Sequence, residues 1–280
     1  MASLNTVFKN VYAEALEPYG FKKIKGRQPY FVRMVGDEIV HVITYTNYPS
    51  LKDGYKEFSV FGGVATVYRP RINLDETPRN NTNWFDSNIG FYRKSDFYDE
   101  QKDMFHEWYT FSYETGNEES MIESVKKSFC VTEQVMLPIL DKVDSLKSAR
   151  DFFRQFSSPL LRIYDDEQEF GRNYSSYEYN EGLINFLVVD LEEYIENKKI
   201  DLEKANAYTL TLMKKGEIGL SKESFEEEKK VLETSMQEQI SKFERCLKNE
   251  SVYMSIMKEL ENRKRVNLNI LELYGLTNED

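Results

Sequence analysis

Apolar residues along this chain change their spacing once, near Gly116. Before that point most of them alternate, and after it they recur every three or four positions. The exception at the start is Leu4, Val7, Phe8, Val11 and Ala15, whose spacing predicts an amphipathic helix with Ser3 or Asn5 as N-cap and Pro18 as its stop. Two runs follow, Tyr30 to Val35 and Ile39 to Tyr48, both rich in β-branched and aromatic residues. Gly36-Asp37-Glu38 between them has the length and composition of a hairpin connection. The second run is apolar on both faces, which predicts a central strand covered by helix. Glu57 to Tyr68 reads as a third strand, with Gly62-Gly63 marking a bulge or the close approach of another backbone or ring. Ile89 to Tyr92 and Trp108 to Tyr113 read as the last strands.

Beyond Gly116 the stripe Met121, Ile122, Val125, Phe129, Val135, Met136, Leu140 and Val143 predicts a long helix that Pro138 kinks or splits. Leu146 to Phe156 continues helical. Residues 165–180, acidic and then rich in Tyr, Ser and Asn, read as a linker between an α+β domain over 1–164 and a helical region over 181–280. In that region Leu183 to Ile195 and Ile200 to Met213 read as two helices, followed by two longer ones around Phe225 to Leu247 and Val252 to Leu271. The short link Lys248-Asn249-Glu250-Ser251 predicts that the last two pack as a helical hairpin. The fold class expected is α+β: an N-terminal helix, a mostly antiparallel sheet covered by helices, and a helical C-terminal region with a long hairpin.

Composition sharpens this picture. Of 280 residues, 19 are Tyr and 18 Phe, enough large apolar surface to offset the ordering entropy of folding and to build an aromatic core. Two cysteines, Cys130 and Cys246, form no disulfide framework and read as reduced and buried. No apolar run is long enough to span a membrane and no signal-peptide pattern opens the sequence, so a cytoplasmic protein is expected. The net charge of −11 is uneven: residues 1–75 hold ten Lys/Arg against seven Asp/Glu, leaving 27 basic and 41 acidic residues beyond them. An excess of that sign repels phosphate backbones and argues against nucleic acid as the general partner.

Candidate chemistry is sparse. No zinc, dinucleotide, P-loop or nucleophile-elbow motif is present, and two histidines are a poor supply of general bases. His41 reads as a hydrogen-bonded structural residue. No cofactor and no metal site is assigned. Glu100-Gln101-Lys102 with Asp86 or Asp96 upstream loosely imitates the two carboxylates and lysine of metal-dependent nucleases, which makes a nuclease-like or nucleotide-binding protein the alternative reading. Lys22, Lys23, Lys25 and Arg27 on one short segment form a small basic patch, read either as a solvated edge strand or as a contact for an acidic partner. Trp84, Trp108 and Tyr109, in an aromatic belt over residues 84–113, are either core or contact surface. Leu232, Met236, Ile240, Phe243 and Leu247 make a narrow stripe of coiled-coil type, a candidate self-association seam.

The opening helix leads into Leu16-Glu17-Pro18-Tyr19-Gly20-Phe21-Lys22-Lys23, then Tyr30-Phe31-Val32-Arg33 and Ile39-Val40-His41-Val42-Ile43. This succession resembles a bacterial family catalogued only as domain of unknown function 4304, over about the first half of the chain. Met136-Leu137-Pro138 resembles a helical element near that family's end. The resemblance implies no activity and no catalytic residues. The missing catalytic set, the charge asymmetry and the coiled-coil-like tail lead instead to the function expected, a non-catalytic, self-associating protein-binding module whose partner has a basic surface, as in toxin neutralisation or phage counter-defence.

Overall fold

The computed structural model describes residues 2–24, 29–68, 89–90, 110–156, 185–216, 218–219 and 221–276. These fall into two compact units, Met1–Ala149 with Val266–Asp280, and Arg150–Arg265. The architecture is α+β, with the strands confined to the first unit.

Helix α1 (Leu4–Leu16) is capped by the Ser3 hydroxyl, which accepts from the Thr6 amide at 3.2 Å. It ends where Pro18 enters a single 3-10 turn and Gly20 takes a left-handed conformation, φ 79°. Among the described residues six strand segments follow, all paired antiparallel: β1 (Lys22–Lys23), β2 (Phe31–Val35), β3 (Ile39–Pro49), β4 (Tyr55–Thr66), β5 (Ile89–Gly90) and β6 (Phe111–Glu114). Their order is β1-β2-β3-β4, and β5 and β6 both pair along the outer edge of β4. Gly36, at φ 60°, closes the β2–β3 hairpin and sets the register Val35↔Ile39, Arg33↔His41 and Phe31↔Ile43. The β3–β4 register runs unbroken through Gly62-Gly63, so that pair is no bulge, and β5 approaches there instead.

Cross-strand partners share a face. Phe31, Ile43, Tyr45, Phe58 and Phe111 therefore lie on one face, and α1 is laid over it by its own rings. Phe8 stacks on Tyr12 at 3.9 Å between centroids and meets Tyr45 at 4.4 Å. Helix α2 (Glu118–Val131), capped by Asn117, adds Val125 and the edge of Phe129 against Tyr12 at 5.3 Å. The Tyr12 hydroxyl reaches Ser128 and Thr132 of the same layer at 2.9 and 3.0 Å. Pro138 does interrupt the stripe: it has no N–H for the Gln134 carbonyl, and the backbone widens into a π turn, Thr132–Met136, before α3 (Leu137–Leu140). Cys130 faces outward on α2 and is exposed, not buried as its apolar neighbours suggested.

Val32, Val42, Thr44, Phe61 and Ala65 form the second sheet face, also buried. The last turns of the C-terminal helix α7 (Glu250–Leu273) belong to this unit. Asn267 donates to the Val67 carbonyl at 2.8 Å, and Lys22, whose strand partner is Val32, contacts the Gly275 carbonyl. These two contacts, eight positions apart, tie the end of α7 to the sheet at the end of β4 and at β1.

In the other unit, α5 (Leu191–Lys215) is one continuous helix where two were expected, because nothing between Ile195 and Ile200 breaks it. Helix α4 (Leu146–Phe156) brings Arg150 into this unit, where it pairs with Glu193 at 3.0 Å. The long hairpin is formed by α5 with α6 (Lys222–Lys248), joined across Gly216, which caps α5 at φ 72°. Tyr194 of α5 stacks on Phe243 of α6 at 3.9 Å, and Ala205 is buried with Leu232 in the same cluster, which sets the pair antiparallel. Helix α7 contributes Ile256 to the rim of that cluster. The partner expected for α6 was α7, and the helix packed along it is α5.

Candidate functional site

A gathering of polar side chains that joins three elements surrounds Arg33 and His41. The hairpin register places them side by side on the α1-covered face. Arg33 Nε donates to His41 Nδ1 at 3.0 Å, which fixes the proton of the neutral ring on Nε2, and Nε2 donates to the Val143 carbonyl at 2.7 Å. Arg33 also donates to the Tyr19 carbonyl at 3.0 Å, pairs with Asp141, and lies over the Phe21 ring at 4.7 Å. The Tyr19 hydroxyl donates to Glu133 at 2.7 Å. One side chain thus ties the turn after α1 and the turn after α3 to the sheet.

Burial, and then the neighbouring guanidinium, push the His41 pKa down from its ordinary value to about 4. With both nitrogens engaged and the ring neutral, His41 has no position left for a substrate proton. The arrangement is a clasp, in agreement with the structural reading of His41. Arg33 and Asp141 were not singled out from the sequence. A hairpin centred on Asp37 implies the pairing of 33 with 41, so Arg33 was within reach of that reasoning; nothing near Asp141 signals its part.

Lys22 is committed to the Gly275 carbonyl at the end of α7, where a cation complements the helix terminus, and Lys23 stands exposed on the β1 edge. Together with Ala13, Glu14, Glu17, Gly20 and Phe21 they line an open groove whose two carboxylates offset the two cations. Lys25, Arg27, Trp84, Trp108, Tyr109 and Glu100, with Asp86, Asp96 and the 165–180 linker, lie outside the described residues. No group of three His, Cys, Asp or Glu side chains that could hold a metal gathers among the described residues. Nor is any described helix long and apolar enough to cross a membrane.

Leu232, Met236, Ile240 and Phe243 are buried inside their own unit, and Leu247 packs at its edge. Used as a seam between copies, they would first have to lose α5. The seam also holds Gln239, 1 % exposed, whose Oε1 has no hydrogen-bond partner among the described residues. An orphaned buried acceptor costs about 1–3 kcal/mol. Gln239→Leu is therefore expected to raise the unfolding midpoint of the helical unit, by roughly 1 kcal/mol or more in urea denaturation followed by circular dichroism. A lowered midpoint would show that Gln239 holds the seam together.

No family model, curated protein or solved structure matches the chain.

Proposed function

We propose that this chain is a non-catalytic protein-binding module that presents an acidic helical face to a partner with a basic surface, in the manner of an inhibitor or neutralising protein from bacterial or phage conflict. The observation that carries this reading is the outer face of α6. Over residues 222–238 Glu223, Glu226, Glu227, Glu233 and Glu238 are exposed and outnumber the exposed cations Lys222 and Lys230, on a helix whose opposite face is anchored by Leu232, Met236 and Phe243. A rigid, pre-ordered row of carboxylates steers a basic partner and loses little entropy on binding. Consistent with a role other than catalysis, the buried His41 is neutral and fully engaged.

We keep homo-oligomer formation within the proposal, on a surface other than the Leu232 to Leu247 stripe. The kinship with domain of unknown function 4304 also stays a proposal, resting on the α1 helix, the Pro18-Tyr19-Gly20 turn and the strands that follow.

The test is affinity capture with the full chain and with Glu223→Lys/Glu227→Lys/Glu233→Lys. The expected result is a protein retained by the first and lost from the second, with salt weakening the interaction and the circular dichroism melt unchanged. Capture that survives charge reversal would remove α6 from the reading. A melting temperature raised by Mg²⁺ or Mn²⁺, and not raised in Glu100→Ala, would replace the reading with the metal-dependent alternative.

A further inference from the structure

We infer that His41 makes the Arg33 clasp an acid-released latch: a proton taken up at Nδ1 displaces the ring from between Arg33 and Val143 and frees the Asp141–Ser145 turn from the sheet. The inference begins from the two ring contacts. Nδ1 can accept from Arg33 Nε only while it carries no proton, and the same neutral tautomer supplies the Nε2 hydrogen bonded by the Val143 carbonyl. Adding a proton turns the Arg33–His41 bond into two donors facing each other and sets imidazolium against guanidinium. His41 is 1 % exposed, so no water can take over.

The surrounding charges do not rescue that state. From β2 comes the Arg33 cation; from the turn after α3 come Asp141, already paired with Arg33, and Asp144; from the turn after α1 comes only the Tyr19 carbonyl, itself holding Arg33. Burial and the Arg33 cation hold the ring's pKa down from its ordinary 6.5 to about 4, so the closed clasp binds a proton far more weakly than an open one. As pH falls below 6.5, opening therefore becomes progressively easier, and above 6.5 the latch gains nothing further.

What the latch holds is short and separable. The amides of Asp141, Lys142 and Val143 donate to the carbonyls of Leu137, Ile139 and Leu140, while β3 and β4 are tied to each other along eleven residue pairs. Among the described residues the backbone-to-backbone bonds of this turn run to α3 and none to the sheet, so it can open while β3 and β4 stay paired, with Val143, otherwise buried, uncovered as it does.

Hydrogen exchange of those three amides, followed from pH 7 to pH 4.5 and corrected for the intrinsic pH dependence of exchange, tests the inference, with the β3–β4 amides as internal reference. Protection in the turn is expected to fall, approaching tenfold per pH unit, while the strands keep theirs. Gln can accept from Arg33 and donate to Val143 at any of these pH values, so His41→Gln is expected to show no such fall. Should that variant not fold, ¹⁵N imidazole spectra of the unaltered protein decide: the ring must be neutral with its hydrogen on Nε2 at pH 7 and take up its proton as turn protection is lost. Equal loss in His41→Gln, simultaneous loss from turn and strands, or titration of the ring at its ordinary value with the turn still protected would each overturn the latch.

Discussion

Replacing Phe8 by Ala is expected to destabilise the α+β unit by about 3–5 kcal/mol, the range for removing a fully buried ring from a core that cannot collapse around the gap. Phe8 is wholly buried and is the one ring of α1 that meets Tyr12, Phe31, Tyr45 and Phe58 at once, with centroids between 3.9 and 6.3 Å. Rings from three strands therefore close on the void, and each is held by its own strand. A domain of ordinary stability keeps only 5–15 kcal/mol in hand, so the loss should appear as a much earlier urea midpoint for the aromatic near-ultraviolet signal. Phe8→Leu refills most of the volume and should recover more than half of the loss. A Phe8→Ala midpoint within about 1 kcal/mol of the unaltered chain would mean that α1 is not fixed to the sheet as described.

Ending the chain after Arg265 is expected to cost the same unit roughly 4–7 kcal/mol, the sum of burying Leu271 and Leu276 and of the Asn267 hydrogen bond to Val67. The lost residues lie two hundred positions from β4, yet the damage should appear in the sheet they are tied to, at Val67 and at β1 with its partner β2. Dye binding to exposed apolar surface and loss of amide protection in β2 and β3 would record it. If the shortened chain keeps those amides protected, the α7 terminus is an ornament on a sheet that closes by other means. The same dependence makes a deletion from Lys222 onward a poor probe of partner binding, since it removes the terminal turns along with α6.

How far the sequence reached can be judged residue by residue. The α1 helix, its Ser3 cap and the Pro18 stop were legible because each is a local preference with a local cause. The β2–β3 hairpin was legible because Gly36 supplies a backbone conformation that few residues adopt. Burial on both faces of β3 was equally plain from its lack of alternation. Periodicity says that a stripe is covered and not by what, and this is where the reading stopped. The Leu232 to Phe243 stripe was read as a seam for a neighbouring copy or for α7, while α5 fills it. Of the clasp, the Arg33–His41 pairing follows from the hairpin register, whereas Asp141 and Val143 enter from a hundred residues away through packing that leaves no local trace.

The terminal turns of α7 also govern when the first unit can be finished. Its sheet is made early in synthesis, but Asn267 reaches Val67 only after two hundred further residues have left the ribosome. Until then Leu271 and Leu276 cannot take their buried places and the Val67 carbonyl waits for Asn267, and closing so long a loop slows the final step further. The newborn chain therefore holds an incompletely packed sheet until α7 has emerged, and incompletely packed sheets are prone to aggregate.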